Sequence, residues 1–131
     1  MTDQDVVETS LRVRYAETDS MGYLHHAQYF VYFEMGRTEL LRQMGVSYRQ
    51  CEQRGVIFVV AKLECRFKAP ARYDDVLTLT TRMVRMGRAR LDHEYELTRD
   101  GLLLCQAGST LACVDRQGRL QAIPDFIAGQ S

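Results

Sequence analysis

The spacing of apolar and polar residues divides the chain into a first strand, a helical segment and a long region of strands. Residues 8–15 alternate, with Leu11, Val13 and Tyr15 on one face, which is the period of a half-buried strand. Between residues 27 and 44 the apolar positions follow helical spacing and form a wide stripe. The pattern therefore predicts a strand that leads through a polar loop into one long helix.

The chain after this helix changes to a period of two and keeps it. Gly45 ends the long helix, and Ser47 with Gln50 forms the capping-box pattern of a short second helix. Alternating apolar residues then predict four strands, over residues 59–67, 76–86, 91–97 and 102–114. This order predicts an α+β fold, a five-stranded antiparallel sheet with one main helix on one face. Because one helix is narrow beside five strands, we expect a second copy to pack against the first, most simply as a two-fold dimer.

Two residues inside these elements predict how the layers pack. Gly36 lies on the apolar stripe in mid-helix, where glycine costs about 1 kcal/mol relative to alanine, so it predicts a close approach of the sheet. His93 lies on the apolar face of the strand over residues 91–97. We therefore expect it to be a buried core histidine.

The composition is that of a globular protein without net charge. The 131 residues suffice for one domain, over residues 1–131, and 46% of them are hydrophobic. The 17 acidic residues balance the 17 Lys and Arg residues, which argues against a protein that binds mainly nucleic-acid phosphates. No apolar run is long enough for a membrane helix, and the acidic N-terminal segment lacks the features of a signal peptide. We therefore expect a cytoplasmic protein.

The cysteines and histidines are not spaced as metal ligands. Cys65, Cys105 and Cys113 fall in strand segments and are predicted to be small buried thiols. His25 and His26 are adjacent, so their side chains would diverge on a helix, and no HExxH motif is present. The sequence predicts no metal site.

One loop concentrates the reactive residue types of the chain. Residues 18–29 join a carboxylate, Asp19, and a glycine, Gly22, to the start of the long helix. Free N–H groups and the helix dipole at such a terminus stabilise a carbonyl oxygen that gains negative charge. Asp19 could act on the same carbonyl as a nucleophile or as the base for a water molecule, although the spacing alone is also compatible with a plain turn. Glu17 would raise the pKa of Asp19 by repulsion only if both carboxylates point the same way.

The residues of this loop and of the helix after it form a dense motif. It comprises Arg14-Tyr15, Thr18-Asp19, Gly22, His26, Tyr29, Phe33-Glu34, Arg37 and Glu39-Leu40. This motif closely resembles that of the 4-hydroxybenzoyl-CoA thioesterase family of hotdog-fold acyl-CoA thioesterases, especially its YbgC-like branch. The resemblance is dense over residues 11–45 and continues more loosely, as the order of strands and helices, to about residue 122.

The resemblance implies a fold, a reaction and a set of site residues. In the hotdog fold an antiparallel sheet wraps around one long central helix, and its homodimers, often paired into homotetramers, have active sites at the subunit interface. The implied reaction is hydrolysis of an acyl-CoA to a free acid and coenzyme A, without a metal or redox cofactor. Asp19 matches the catalytic aspartate, and His26 matches the residue whose backbone N–H polarises the thioester carbonyl. Gly22 matches the glycine of the tight loop, and Tyr29 the tyrosine just inside the helix.

Arginines dominate the cations of the chain, since only Lys62 and Lys68 are lysines. The resemblance places the nucleotide end of coenzyme A at a solvent-facing surface, near the strand ends and the subunit boundary. Guanidinium groups suit its phosphates because they donate two parallel hydrogen bonds. The candidate phosphate contacts are Lys68, Arg72, Arg85, Arg88 and Arg90.

Three alternatives to an aspartate-dependent thioesterase remain open. Another branch of hotdog thioesterases uses a helix glutamate, for which Glu34 and Glu39 are candidates, although Glu34 could simply pair with Arg37. Hotdog folds also include hydratases and dehydratases of acyl thioesters, and the third alternative is an acyl-CoA-binding protein without catalysis. The acyl group could be fatty or aromatic, and the candidates to line its pocket are Met21, Tyr23, Tyr29, Phe33, Phe58 and Val59.

Overall fold

The strands form one antiparallel sheet and the longest helix lies against it. A computed structural model describes residues 5–128. The strands, in the spatial order β1-β3-β4-β5-β2, are β1 (Val6–Arg12), β2 (Ile57–Phe67), β3 (Val76–Met86), β4 (Arg90–Arg99) and β5 (Leu102–Val114). The helices are α1 (His26–Gln43), α2 (Tyr48–Gln53) and α3 (Asp125–Ala128), with a 3-10 turn at Tyr15–Glu17. No helix within residues 5–128 is long and apolar enough to span a membrane.

Most elements lie within two residues of their predicted limits, and the α+β class with a five-stranded sheet is confirmed. The predicted capping box forms, because the Ser47 Oγ accepts from the Gln50 N–H at 3.1 Å and the Gln50 side chain accepts from the Ser47 N–H at 2.9 Å. The prediction for the first strand is wrong at its end. The strand stops at Arg12 instead of Tyr15, because the Glu17 carboxylate accepts the backbone N–H of Arg14 at 2.8 Å and starts the 3-10 turn.

The apolar stripe of α1 packs on the inner face of the sheet. The Phe33 ring is fully buried and stacks on the ring of Tyr95 in β4, with centroids 4.6 Å apart. At Gly36 the helix meets β3, because an added Cβ would lie 2.9 Å from Leu79 Cδ2 and closer still to Thr81 Oγ1. The close approach predicted from this mid-helix glycine is confirmed.

The strand β2 lies at an edge of the sheet. Within residues 5–128 it pairs only with β5, through a register shift between Val60 and Lys62. Four of its large apolar residues are 36–52% exposed, namely Val59, Val60, Leu63 and Phe67. The alternating pattern correctly predicts that β2 is a strand. It does not predict that β2 lies at the edge of the sheet next to β5, because this position depends on pairing between residues that are distant in sequence.

The histidine His93 is buried in the core, as predicted. Its Nδ1 atom has no hydrogen-bond partner among the described residues, and only 3% of the residue surface is exposed. Burial, with the positive charge of Arg37, lowers the pKa of His93 to about 4, while Asp92 opposes this shift. The folded protein therefore keeps this imidazole neutral at pH values where an unfolded chain, with a histidine pKa of about 6.5, is protonated.

Stability should fall as the pH decreases from about 6.5 towards 4, because the unfolded state then binds a proton that folded His93 does not. Between about pH 7 and pH 5 the contribution of His93 is about 2 kcal/mol. Urea unfolding at pH 7 and pH 5 should show that the free energy of unfolding falls less in His93→Leu than in the wild-type protein. An equal loss in both proteins would rule out His93 as its source.

Candidate active site

The Asp19 carboxylate organises the tight loop between β1 and α1. Its Oδ1 accepts the backbone N–H groups of Met21 at 2.8 Å and Tyr23 at 3.1 Å. The Gly22 N–H donates to the Asp19 carbonyl at 3.0 Å, and Gly22 has a φ of +81°, which glycine adopts without Cβ strain. These bonds fix the carboxylate, whereas its Oδ2 accepts no hydrogen bond from residues 5–128. The side chain is exposed, so Oδ2 is open to a ligand.

The first turn of α1 contains a backbone N–H group, that of His26, which is a candidate hydrogen-bond donor to a ligand. His26 is the first helical residue, and its backbone N–H has no acceptor in the described part of the chain. The next N–H, of Ala27, donates to the His25 Nδ1 at 3.1 Å, so the His25 side chain caps the helix. The imidazoles of His25 and His26 stack with centroids 4.2 Å apart, and residues 5–128 contain no group of three possible metal ligands. A free N–H at a helix N-terminus is suited to an oxygen that gains negative charge.

Asp19 and His26 open into one cavity of about 360 Å³. Its walls are Asp19, Leu24, His26, Tyr29, Phe67, Lys68, Ala69 and Pro70. Tyr29 is buried, and its ring meets the Phe67 ring edge to face with centroids 4.9 Å apart. Burial raises the pKa of the Tyr29 phenol, although the Ala71 N–H hydrogen bond opposes this shift. Tyr29 therefore keeps its proton at neutral pH and acts as an aromatic wall.

The cavity combines a carboxylate with a helix N-terminal donor, the two groups that hydrolysis of an activated acyl group needs. A carbonyl oxygen bound to the His26 N–H would be polarised as it becomes an oxyanion. The carbonyl carbon would then be open to attack by Asp19 or by a water molecule that Asp19 activates. The neighbouring Lys68 provides a positive charge at the rim.

Two of the five candidate phosphate contacts lie beside this cavity. Lys68 is part of its wall, and Arg72 pairs with Tyr23 through an isolated antiparallel bridge. The Arg72 guanidinium lies 4.9 Å from the centroid of the Tyr23 ring, in a cation–π contact. The structure therefore brings Lys68 and Arg72 together with the Asp19 loop.

The other three cations lie at the opposite end of the sheet of the same chain. They occupy the ends of β3 and β4 and the turn between them, at Arg85, Arg88 and Arg90. The strand β3 begins opposite Arg12, where the Asp19 loop leaves the sheet, and runs away from that loop. Eleven residues of strand correspond to about 35 Å, so one chain does not gather all five cations around one phosphate group.

The acyl-pocket candidates are also separated. Tyr29 lines the Asp19 cavity, whereas Phe33 is in the core and Met21 is 73% exposed. Phe58 lines a different cavity, next to Arg37 and Tyr48. The remaining apolar walls of the Asp19 cavity, which sequence reasoning missed, are Leu24, Phe67, Ala69 and Pro70. The candidates Lys68 and Arg72 pointed to the segment after β2, but its contact with the loop was not predicted, because the sheet order sets that contact.

The two helix glutamates lie outside the Asp19 cavity. Glu34 and Glu39 line a groove between α1 and β1, and Glu39 pairs with Arg42. The suggested pair between Glu34 and Arg37 is absent from the ion pairs within residues 5–128. Arg37 is instead buried and donates to the Tyr95 hydroxyl at 3.3 Å, because its helical position faces the sheet. The geometry therefore favours Asp19 over a helix glutamate.

Comparison with known proteins gives consistent matches over most of the chain. The acyl-CoA thioester hydrolase YbgC of Escherichia coli is 35% identical over 122 residues, which cover 92% of this chain and 91% of that protein. The solved structure of a hypothetical protein from Thermus thermophilus aligns with a TM-score of 0.90 at 37% identity, covering 94% of this chain and 95% of that chain.

The architecture is shared with a thioesterase of known structure. A DHNA-CoA thioesterase from Staphylococcus aureus aligns with a TM-score of 0.89 at 26% identity, covering 95% of this chain and 85% of that chain. A family model described as the thioesterase-like superfamily matches residues 13–130. The chain therefore belongs to the thioesterase-like superfamily and has the hotdog fold that its sequence motif implied.

Proposed function

We propose that this protein hydrolyses an acyl-CoA thioester to a free acid and coenzyme A, with Asp19 as nucleophile or general base. The observation that carries the proposal is that Asp19 lines the same cavity as His26, whose backbone N–H has no acceptor within residues 5–128. The relative from Escherichia coli, named an acyl-CoA thioester hydrolase, supports the same class of substrate. The second candidates, a hydratase or a non-catalytic binding protein, lack an observation of this kind.

The reaction needs few groups because a thiolate is a good leaving group. The thioester oxygen accepts the His26 N–H, and the carbonyl carbon is attacked by Asp19 or by water that Asp19 deprotonates. The C–S bond then breaks, and coenzyme A leaves as a thiolate, which takes up a proton from water. A thiol pKa of about 8.5 makes this departure possible without a strong acid. On the nucleophilic route, water hydrolyses the acyl-aspartyl anhydride in a second step and restores the carboxylate. On the general-base route, the proton that Asp19 took from water passes to the solvent, which restores the carboxylate.

The positions of the other candidate site residues suggest how each would contribute to binding or to the shape of the loop. Gly22 allows the loop to turn under Asp19, and Tyr29 forms the inner wall against which the acyl group packs. Lys68 and Arg72 lie at the cavity rim and over the Tyr23 ring, where they would meet the phosphates of coenzyme A.

The open edge of β2 supports a two-fold homodimer. An unpaired edge with exposed apolar side chains is a template for pairing with a second chain. Antiparallel pairing of β2 with its copy would continue the sheet across the dimer axis and cover these side chains. Two such dimers could then form a tetramer.

The same dimer would bring the two separated groups of cations to the same end of the extended sheet, each group from a different chain. The Ile57 end of β2 lies at the same end of the sheet as Arg90, because Ile57 pairs with Val114 and Arg90 with Ala112. Antiparallel pairing places this end of one chain beside the Phe67 end of the other. The second chain would thus bring Arg85, Arg88 and Arg90 to the side of the sheet that holds the first chain's Asp19 cavity.

A charge on the open edge should separate the dimer. Val60 is 52% exposed on β2, and Val60→Glu would place a carboxylate among the apolar side chains at the proposed dimer contact. Sedimentation velocity should then show a monomer, and thiol release should fall because the site lacks its second chain. The matched control is Val84→Glu, which changes a valine that is 41% exposed on the inner strand β3. A dimer that persists in Val60→Glu would contradict pairing through this edge.

Thiol release from a panel of acyl-CoAs tests the proposed reaction against its alternatives. The wild-type protein should liberate one thiol per acid formed from at least one short-chain, long-chain or aromatic acyl-CoA. Hydration of an enoyl-CoA without thiol release would identify a hydratase. Binding of acyl-CoA with no turnover of any member would identify a binding protein, and either result would overturn the proposal.

A further inference from the structure

Glu17 is a buried carboxylate that the chemistry above does not use. It is 6% exposed and lies two residues before Asp19, at the end of the 3-10 turn. Its Oε1 accepts the backbone N–H of Arg14 at 2.8 Å and the hydroxyl of Tyr32 at 2.7 Å. The Arg14 guanidinium donates to Oε2 at 3.2 Å. The side chain therefore joins the segment after β1 to the second turn of α1.

The backbone of Glu17 closes the loop at its base. The His25 N–H donates to the Glu17 carbonyl at 2.9 Å, and Thr18 pairs with Leu24 in an isolated antiparallel bridge. Asp19 is therefore attached to one side of this stem and His26 to the other. Asp19 directly follows Thr18, and His26 directly follows His25, so the backbone of Glu17 connects the two candidate reacting groups.

The two neighbouring carboxylates point in different directions and do different things. The Asp19 carboxylate is exposed and accepts loop N–H groups, whereas that of Glu17 is inside, against Tyr32. Burial disfavours the charged form of Glu17, but the Arg14 and Tyr32 hydrogen bonds outweigh it and lower the pKa of Glu17. Repulsion of Asp19 by a carboxylate beside it is therefore not the role of Glu17.

We infer that Glu17 is a positioning residue, which fixes the Asp19 carboxylate relative to the N-terminus of α1. The inference rests on the proposed function, because it assigns Glu17 to the same reaction. The main-chain bonds of the stem join residues that precede α1, whereas the Glu17 side chain bonds to Tyr32 within the helix. Loss of that side-chain contact would let α1, with His26, shift relative to the Asp19 loop. A displacement of about 1 Å at a reacting centre can lower the rate about 100-fold.

The substitution Glu17→Leu tests this role with a side chain of similar size, because leucine can accept neither the Arg14 N–H nor the Tyr32 hydroxyl. It should lower kcat about 10- to 100-fold and leave KM within about threefold, because Glu17 does not reach the cation-bearing rim. Tyr32→Phe removes one partner and should act in the same direction with a smaller effect. The double variant should lose less than the product of the two single effects, because both break the same bond. Glu94→Leu, at an exposed glutamate of β4, is the matched control and should keep the wild-type kcat.

Amide hydrogen exchange provides a second readout that needs no substrate. Peptides covering residues 18–27 should exchange faster in Glu17→Leu and in Tyr32→Phe, while peptides of β4 and β5 keep the wild-type rate. If Glu17→Leu does not fold, Tyr32→Phe decides both measurements, since it removes only one hydroxyl group.

The outcomes separate this inference from the proposed function. Wild-type kcat in both variants, or a rise in KM with kcat unchanged, would overturn the role of Glu17 while thiol release by the wild-type protein still stands. Unchanged exchange over residues 18–27 would overturn it whatever the activity. A wild-type protein that releases no thiol would refute the proposed function instead, and the exchange rates would still decide whether Glu17 holds the loop.

Discussion

Asp19→Asn is expected to lower kcat for acyl-CoA hydrolysis about 1000-fold, with KM changed only slightly. An amide is neither a nucleophile of carboxylate strength nor a base at neutral pH, so both routes proposed for Asp19 fail together. The amide oxygen can still accept the N–H groups of Met21 and Tyr23 that Asp19 Oδ1 accepts at 2.8 and 3.1 Å. The loop should therefore keep its shape, and the loss should be chemical.

Three controls define this experiment. The melting temperature and the oligomeric state of Asp19→Asn should match those of the wild-type protein, and its affinity for free coenzyme A should be retained. Glu34→Gln should keep most of the activity, because Glu34 lies in the groove between α1 and β1 and not in the Asp19 cavity. If Asp19→Asn kept wild-type turnover while Glu34→Gln lost it, the catalytic carboxylate would be the one on the helix.

Gly36→Ala should destabilise the fold by about 2 kcal/mol, with a fall of several degrees in Tm. Helix propensity alone predicts the opposite, a gain of about 1 kcal/mol for alanine in mid-helix. The added methyl group would lie 2.9 Å from Leu79 Cδ2 and closer to Thr81 Oγ1, so the helix must move away from β3. The steric cost should exceed the propensity gain because both neighbours belong to the packed sheet.

A second substitution can separate the steric effect from other causes. Thr81 Oγ1 is buried and has no hydrogen-bond partner among residues 5–128, so Thr81→Ala removes the nearest obstacle at a modest cost in stability. In Gly36→Ala/Thr81→Ala the two effects should be less than additive, as measured by urea unfolding of all four proteins. A Gly36→Ala variant that is more stable than the wild type would show that the contact between α1 and β3 accommodates an added methyl group.

The local pattern of the sequence predicts the elements of this fold well. Long runs with a clear period, such as α1, β3 and β5, are found near their predicted limits because each buries one face along its whole length. The end of β1 is not predicted, since Val13 and Tyr15 continue the alternation while the Glu17 side chain turns the backbone at Arg14. The exposed edge of β2 is also missed, because the pairing of β2 with β5 joins residues 38 to 57 positions apart.

The sequence predicts the site residues that lie close together along the chain. It does not predict the residues that only the fold brings next to them. The motif around Asp19, Gly22, His26 and Tyr29 is compact in sequence, and the resemblance to a thioesterase family directs attention to it. The contact between Glu17 and Tyr32 spans 15 residues, and it depends on which face of α1 meets the loop. The wall formed by Phe67 and Lys68 depends on the crossover of β2.

Single-turnover thiol release tests the central claim most directly. With wild-type protein in excess over a radiolabelled acyl-CoA, every thioester is bound and even a slow reaction is seen. Hydrolysis through Asp19 predicts one free thiol and one free acid for each thioester consumed, with the rate falling about 1000-fold in Asp19→Asn. Acyl-CoA that stays bound and intact in the wild-type protein, or equal rates in the two proteins, would contradict it.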